Sequence, residues 1–159
     1  MRSMTVAQLC KPSRLRALVL HKETLLQDIV KSLVSEKALF GIFLVDSEER
    51  LIATLNHRQL LCWARLQSGS TMQLESFITA GQLQRLVNAE QVWQLAVPEG
   101  GQTAVTLTDS LLDVVQKMVK QHLTIVPVVD DNGRLVSDLF WHEVLSSMMQ
   151  ATHSSHQIV

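Results

Sequence analysis

Tyrosine is absent from this chain, and its aromatic residues are four Phe and three Trp. A stacking platform for single-stranded nucleic acid needs successive bases laid on exposed rings, so this supply argues against one. Charge of one sign is missing too. Lys and Arg number 14 against 15 Asp and Glu, a net charge of −1 with no Lys/Arg block, which argues against a dedicated phosphate-backbone binder, so no nucleic-acid partner is expected.

Long apolar runs are also lacking. The longest, Ala38 to Val45, is far short of the ~20 residues that span a bilayer, so no membrane partner is expected. Lys11, Arg14 and Arg16 interrupt any secretory apolar region near the start. Cys10 and Cys62 have no Cys-x-x-Cys spacing, so the expectation is a reduced cytoplasmic protein without a structural disulfide. There is no Walker-type glycine loop, no paired carboxylates in a recognisable catalytic spacing and no metal-ligand cluster, so no enzyme and no obligatory cofactor are expected. His153 and His156 are two ligands at most, too few for a firm metal site.

What is present is a globular composition, 47% apolar and 18% charged over 159 residues, enough for a real core. It is also a repeated one. At an offset of 84, Leu39 meets Leu123, Val45 meets Val129, Asp46 meets Asp130, Arg50-Leu51 meets Arg134-Leu135 and Leu61 meets Leu145. At an offset of 86, Val6, Gln8, Leu9 and Pro12 meet Val92, Gln94, Leu95 and Pro98, and Leu25-Leu26 meet Leu111-Leu112. Matches in one order across both halves mean an internal duplication.

Each half reads strand, helix, hairpin, helix. Strands are predicted over 17–21 and 104–107, helices over 25–35 and 111–121, hairpins over 39–55 and 124–140, and closing helices over 57–66 and 142–150. Val and Ile suit the strands, and Asn132-Gly133 signals a tight turn with φ > 0. Thr24-x-x-Gln27 fits a capping box, and Ser110 can cap with Asp113 in the first turn. The predicted organisation is a first unit over 1–67 with its lead-in, a largely helical segment over 68–90, a second unit over 91–150 and a frayed tail over 151–159. A β-α-β-β-α unit this small cannot bury both faces of its sheet, so the fold class is α/β with two pseudo-symmetric units packed as one module.

The duplicated pattern resembles a tandem pair of CBS domains, the Bateman module. The likeness is strongest over LTDSLLDVVQKMVKQHLTIVPVVDDNGRLVSDLFWHEVL and weaker over KETLLQDIVKSLVSEKALFGIFLVDSEERLIATLNHRQLL. The lead-ins VAQLCKP and VWQLAVP resemble the family's V-x-D-V-M-x-P. The resemblance implies clefts between units that bind AMP, ADP, ATP, NAD or S-adenosylmethionine as regulatory ligands. It also implies a homodimer associating through helices, and an unidentified regulated protein as partner.

In the family, a closing G-x-x-T-x-x-D directs a hydroxyl to phosphate and a carboxylate to the ribose diol, beside a helix N-terminus. Here Asn56 and Gln59 fall at those positions in the first copy, with Gln59 in place of Asp and Arg58 beside it as a candidate phosphate contact. In the second copy they are Phe140 and Glu143, with Phe140 in place of the hydroxyl and His142 matching Arg58. Phe40, Ile42, Thr124 and Val126 stand where the family lines its adenine pocket, and Pro127 is read as marking a strand edge whose backbone could meet a base. Leu20, Gly41 and Thr106 complete the candidate ligand set. The competing roles are plain: strand core for Ile42 and Val126, solvated first-turn residues for Arg58, Gln59, His142 and Glu143. Degenerate, empty sites on a structural or protein-interaction module are the alternative function.

Overall fold

A strand of four or five apolar residues cannot hide both faces alone, and the apolar stretches Ile42–Val45 and Ile125–Val129 both become central strands. The computed structural model describes residues 3–11, 15–34, 41–68, 80–96 and 103–156. In chain order its elements are α1 (Val6–Leu9), β1 (Leu18–His21), α2 (Leu26–Leu33), β2 (Ile42–Val45), β3 (Leu51–Leu55), α3 (His57–Gln67) and α4 (Ala80–Val87). A 3-10 turn (Val92–Leu95) follows, then β4 (Val105–Thr106), α5 (Leu111–Gln121), β5 (Ile125–Val129), β6 (Leu135–Phe140) and α6 (Trp141–His156). Among the described residues, no helix is long and apolar enough to cross a membrane. Phe40 and the 69–79 part of the predicted helical segment lie outside the described residues.

The strands form two three-stranded sheets of the same order, β1-β2-β3 and β4-β5-β6. The parallel pair β1–β2 needs a crossover, and α2 lies within it; α5 does the same for β4–β5. All of β2 and all of β5 are buried. β6 runs antiparallel to β5, with an irregularity between Val128 and Val129. Pro127 therefore lies on the central strand, not at the edge of the sheet, and the register explains how. The Trp141 N–H donates to the Thr124 carbonyl at 3.0 Å, so by alternation Pro127 and Asp138 form a non-hydrogen-bonded pair. The absent N–H thus costs the β5–β6 ladder nothing. On the other side of β5, β4 pairs only Val128 and Val129.

The hairpin turn is organised by Asp130. Its Oδ1 accepts from the Asn132 N–H at 2.9 Å and the Arg134 N–H at 3.0 Å, and Gly133 alone of the expected pair takes φ > 0, at 79°. In the first copy the equivalent place is filled by Glu49, at φ 63°. Ser110 caps α5 as expected, accepting from the Asp113 N–H at 3.1 Å. The Thr24 cap is displaced: Leu25 is the N-cap of α2 and makes no side-chain cap bond. The last helix runs on through His156 rather than ending at Gln150. Its extension carries Ala151, a strong helix former, and Thr152 and Ser154 return their hydroxyls to carbonyls four residues back.

Two compact units result, and they do not follow chain order. One comprises Met1–Arg16, Glu48–Leu51 and Gln102–Val159, the other Ala17–Ser47 and Ile52–Gly101. The first lead-in thus belongs with the second sheet, whereas the sequence reading put it with the first. Backbone pairing accounts for this. Thr5 bridges Ser110, and the Val6 and Ala7 N–H groups donate to Asp109 and Leu107 carbonyls, each at 2.9 Å. Val6 is fully buried in a cluster with Val105, Leu111, Val114, Met118, Val126, Val128, Leu139 and Val144.

In the other unit, the matching Val92 packs with Leu20, Leu26, Ile29, Ile42, Leu44, Ala53 and Leu55, and Leu25 bridges Gln91. Each lead-in also holds its own bend the same way: Gln8 and Gln94 accept from the N–H three residues back, at 2.9 Å in both copies.

Val6→Ala is expected to cost about 2 kcal/mol, from two lost methyl groups and a partly unfilled cavity. Amide hydrogen exchange should quicken along α5 and β5 while β1 and β2 keep their protection. Faster exchange confined to β1 and β2 would assign the lead-in to the other unit.

Candidate ligand-binding site

Asp138 sits in an apolar strand and is 2% exposed. A carboxylate so placed must be paired and hydrogen-bonded or it is driven to neutrality. Arg16 supplies both requirements from 122 positions earlier. Its backbone N–H donates to Asp138 Oδ2 at 2.7 Å, and its Nε–H to Oδ1 at 2.9 Å. The far end of the guanidinium grips Glu143: Nη1 donates to Oε1 at 2.9 Å and Nη2 to Oε2 at 2.7 Å. Nη2 also reaches the Asp138 carbonyl at 3.3 Å. The guanidinium carbon lies 4.1 Å from the Phe140 ring centroid, a cation–π contact.

Glu143 is placed by the helix start. It is the third residue of α6, and its Oε2 accepts from the Phe140 N–H at 3.0 Å, the reach-back half of a capping box. Burial by itself would raise the carboxyl's pKa. The hydrogen bonds from Arg16 and the Phe140 N–H, with the charges of Arg16 and His142, outweigh that and hold it below its ordinary value of 4.5. For Arg16, burial works toward a lower pKa, but the two carboxylates overcome it and the guanidinium is more firmly protonated than usual.

Arg16, Asp138 and Glu143 line a cleft of about 310 Å³ with Leu9, Lys11, Ser137, Leu139, His142, Ser146 and Ser147. The helix spacing explains the wall: Glu143 and Ser147, like His142 and Ser146, are four apart and share a face of α6. Meanwhile Val144 and Met148 turn to the core.

Of the candidates read from sequence, the structure gathers Phe140, His142 and Glu143 around Arg16. The His142 ring lies 5.5 Å from that of Phe140. Val126 and Pro127 pair with Leu139 and Asp138, two residues of the cleft. Val126 is itself fully buried in the core. Thr124 is exposed. Thr106 closes β4, its N–H given to Asp109 and its hydroxyl 3.1 Å from that of Thr108.

In the other unit Leu20 and Ile42 are core residues, and Gly41 accepts the Leu18 N–H at 2.9 Å. Asn56 and Gln59 exchange hydrogen bonds of 3.0 and 2.9 Å across a full capping box at the head of α3, next to exposed Arg58. Sequence reasoning missed Lys11, Arg16, Ser137, Asp138, Ser146 and Ser147. One signal was available: a charge within Leu-Val-Ser-Asp-Leu-Phe demands a buried cation.

Asp138→Ala should cost about 3 kcal/mol, because it leaves a partly buried guanidinium without its inner partner. The melting temperature should fall by roughly 10 °C, whereas Asp131→Ala in the exposed turn should change it little. Glu143 also sets an acid limb. Its folded pKa lies below its unfolded one, so its contribution is full above pH ~4.5 and fades as pH falls through the lowered value. Glu143→Gln should make the acid-side loss of stability shallower, as read by melting temperature against pH.

Residues 103–140 match the family model described as CBS domain. No curated protein matches the chain by sequence. Among solved structures, CBSX2 in complex with AMP superposes with a TM-score of 0.67 at 21% identity, over 94% of this chain and 98% of that one. A CBS domain-containing protein of unknown function from Bacillus anthracis gives 0.64 at 16% identity, over 92% and 94%. The cytosolic domain of the Mg2+ channel MgtE in complex with ATP gives 0.59 at 19% identity, over 84% of this chain and 45% of that chain.

Proposed function

The chain has the α/β fold of a tandem CBS-domain module, and from that premise we propose that it is a regulatory module binding an adenosine-containing nucleotide, not an enzyme. The observation that carries the reading is the cleft at the head of α6. It offers a carboxylate, Glu143, beside the two cations Lys11 and Arg16. A helix N-terminus and cations suit phosphate, and a carboxylate suits a ribose diol. Its size is at the small end of the range for small-molecule sites. AMP, ADP, ATP, NAD and S-adenosylmethionine are the ligand class, and AMP and ATP stand in two of the similar structures.

In this reading Phe140, His142 and Glu143 contact ligand, with Thr106, Thr124, Val126 and Pro127 toward the base. Leu20, Gly41, Ile42, Asn56, Arg58 and Gln59 are their first-copy counterparts. The module acts in the cytoplasm as a homodimer and passes occupancy to a regulated protein. Leu112, Val119, Trp141, Leu145 and Met149, exposed on the mutually packed α5 and α6, support helix-mediated association. A ligand shifts such a dimer only by binding one arrangement better than another.

One observation favours a second reading, a protein-interaction module whose sites stay empty. Glu143 is already bound at both oxygens, and Gln59 is engaged in its cap. A thermal-melt screen of nucleotide-stripped protein against the five ligands separates the two. A ligand at 100 times its Kd should add about 2.7 kcal/mol, a rise of roughly 5–10 °C. A flat screen at millimolar ligand would retire the nucleotide reading.

A further inference from the structure

The hydrogen bonds that Arg16 and Glu143 make to each other and to Asp138 leave little for a ligand. Four of the five guanidinium N–H groups are spent: Nε on Asp138, Nη1 and Nη2 on Glu143, and Nη2 again on the Asp138 carbonyl. A phosphate arriving beside Arg16 finds a single N–H. Glu143 is as fully engaged, with Oε1 taking one bond and Oε2 two. A ribose diol needs two acceptors and finds about half of that. Neither group can serve a nucleotide while it serves the other.

The two ends of Arg16 differ, however. The backbone N–H and Nε are anchored on Asp138, whose side chain is fully buried, while the Nη end meets a Glu143 side chain 27% exposed. The outer contact can open while the inner one holds.

We infer that Arg16 is a latch exchanged for ligand, and that it makes the cleft selective for a 5′-phosphorylated nucleoside over the bare nucleoside. This rests on the nucleotide reading above. In the exchange, the Nη groups leave Glu143 for the phosphate and the freed carboxylate takes the ribose diol. Each charge broken from its partner gains a new one. A nucleoside without phosphate can take Glu143 only by leaving the Nη end of Arg16 without an anionic partner, so it binds poorly. Arg16 is thus a specificity-determining residue, and the closed latch is the resting state.

The test is calorimetric titration of full-length protein with AMP and with adenosine, in wild type and Arg16→Gln. Wild type should bind AMP at least tenfold more tightly than adenosine. Arg16→Gln should weaken AMP and strengthen adenosine, bringing the two within about twofold. Should that variant fail to fold, the wild-type Arg16 Nε–H resonance in 15N NMR decides. It should shift on adding AMP and stay in place with adenosine at equal concentration.

Equal affinity of wild type for both probes, or discrimination that survives Arg16→Gln, overturns the latch and leaves the nucleotide reading standing. Adenosine binding only after Arg16→Gln supports a latch that holds the resting site shut. Absence of binding to either protein, and of any resonance shift, overturns both.

Discussion

A carboxylate inside a strand must find a cation, and the unit that contains β4–β6 is organised around that requirement. Asp138 is too deep to be solvated, so Arg16 must come to it, and both the main chain and the side chain of Arg16 are used. That requirement ties the end of the first lead-in to β6. It sets the guanidinium against Phe140, and its outer face then fixes Glu143 at the head of α6. Replacing such a pair by apolar residues need not destabilise a protein, whereas removing one partner does. The pair is therefore better understood as specifying where the lead-in ends than as a net source of stability.

Much of this fold was legible in the sequence because its signals are local. Strand composition, the Ser110 cap and the turn at Gly133 each act within a few residues, and the duplication repeated the order of strands and helices. The structure keeps the predicted 111–121 helix to the residue. Long-range facts were less legible. Val6 and Val92 look like ordinary lead-in residues, and nothing near them says which core they enter. Backbone pairing with Ser110 and Leu25 decides that, at separations where sequence pattern carries no register. Pro127 was read as an edge because proline lacks a donor. The register shows that a central strand can also carry it at a non-hydrogen-bonded position.

The candidate site was legible by half. The resemblance pointed to the head of α6, and Phe140, His142 and Glu143 do meet there. Arg16 was visible only as a charge interrupting an apolar stretch, and Asp138 only as a position between motif residues. Each makes sense through the other, and 122 positions separate them.

The two copies show how such a site can diverge without disturbing the fold. In both, the third residue of the closing helix reaches back to the N–H before the helix, from Gln59 to Asn56 and from Glu143 to Phe140. The amide completes a neutral cap in the first copy, where Thr54 stands at the position of Asp138. In the second, the carboxylate keeps that backbone bond and adds a charge, which with buried Asp138 gives Arg16 two anions to bridge. Capping therefore explains why a side chain with an acceptor is held at both positions, but it does not require a charge. The charge belongs to Arg16 and to the cleft, so the second copy is where a charged ligand has a group to compete for.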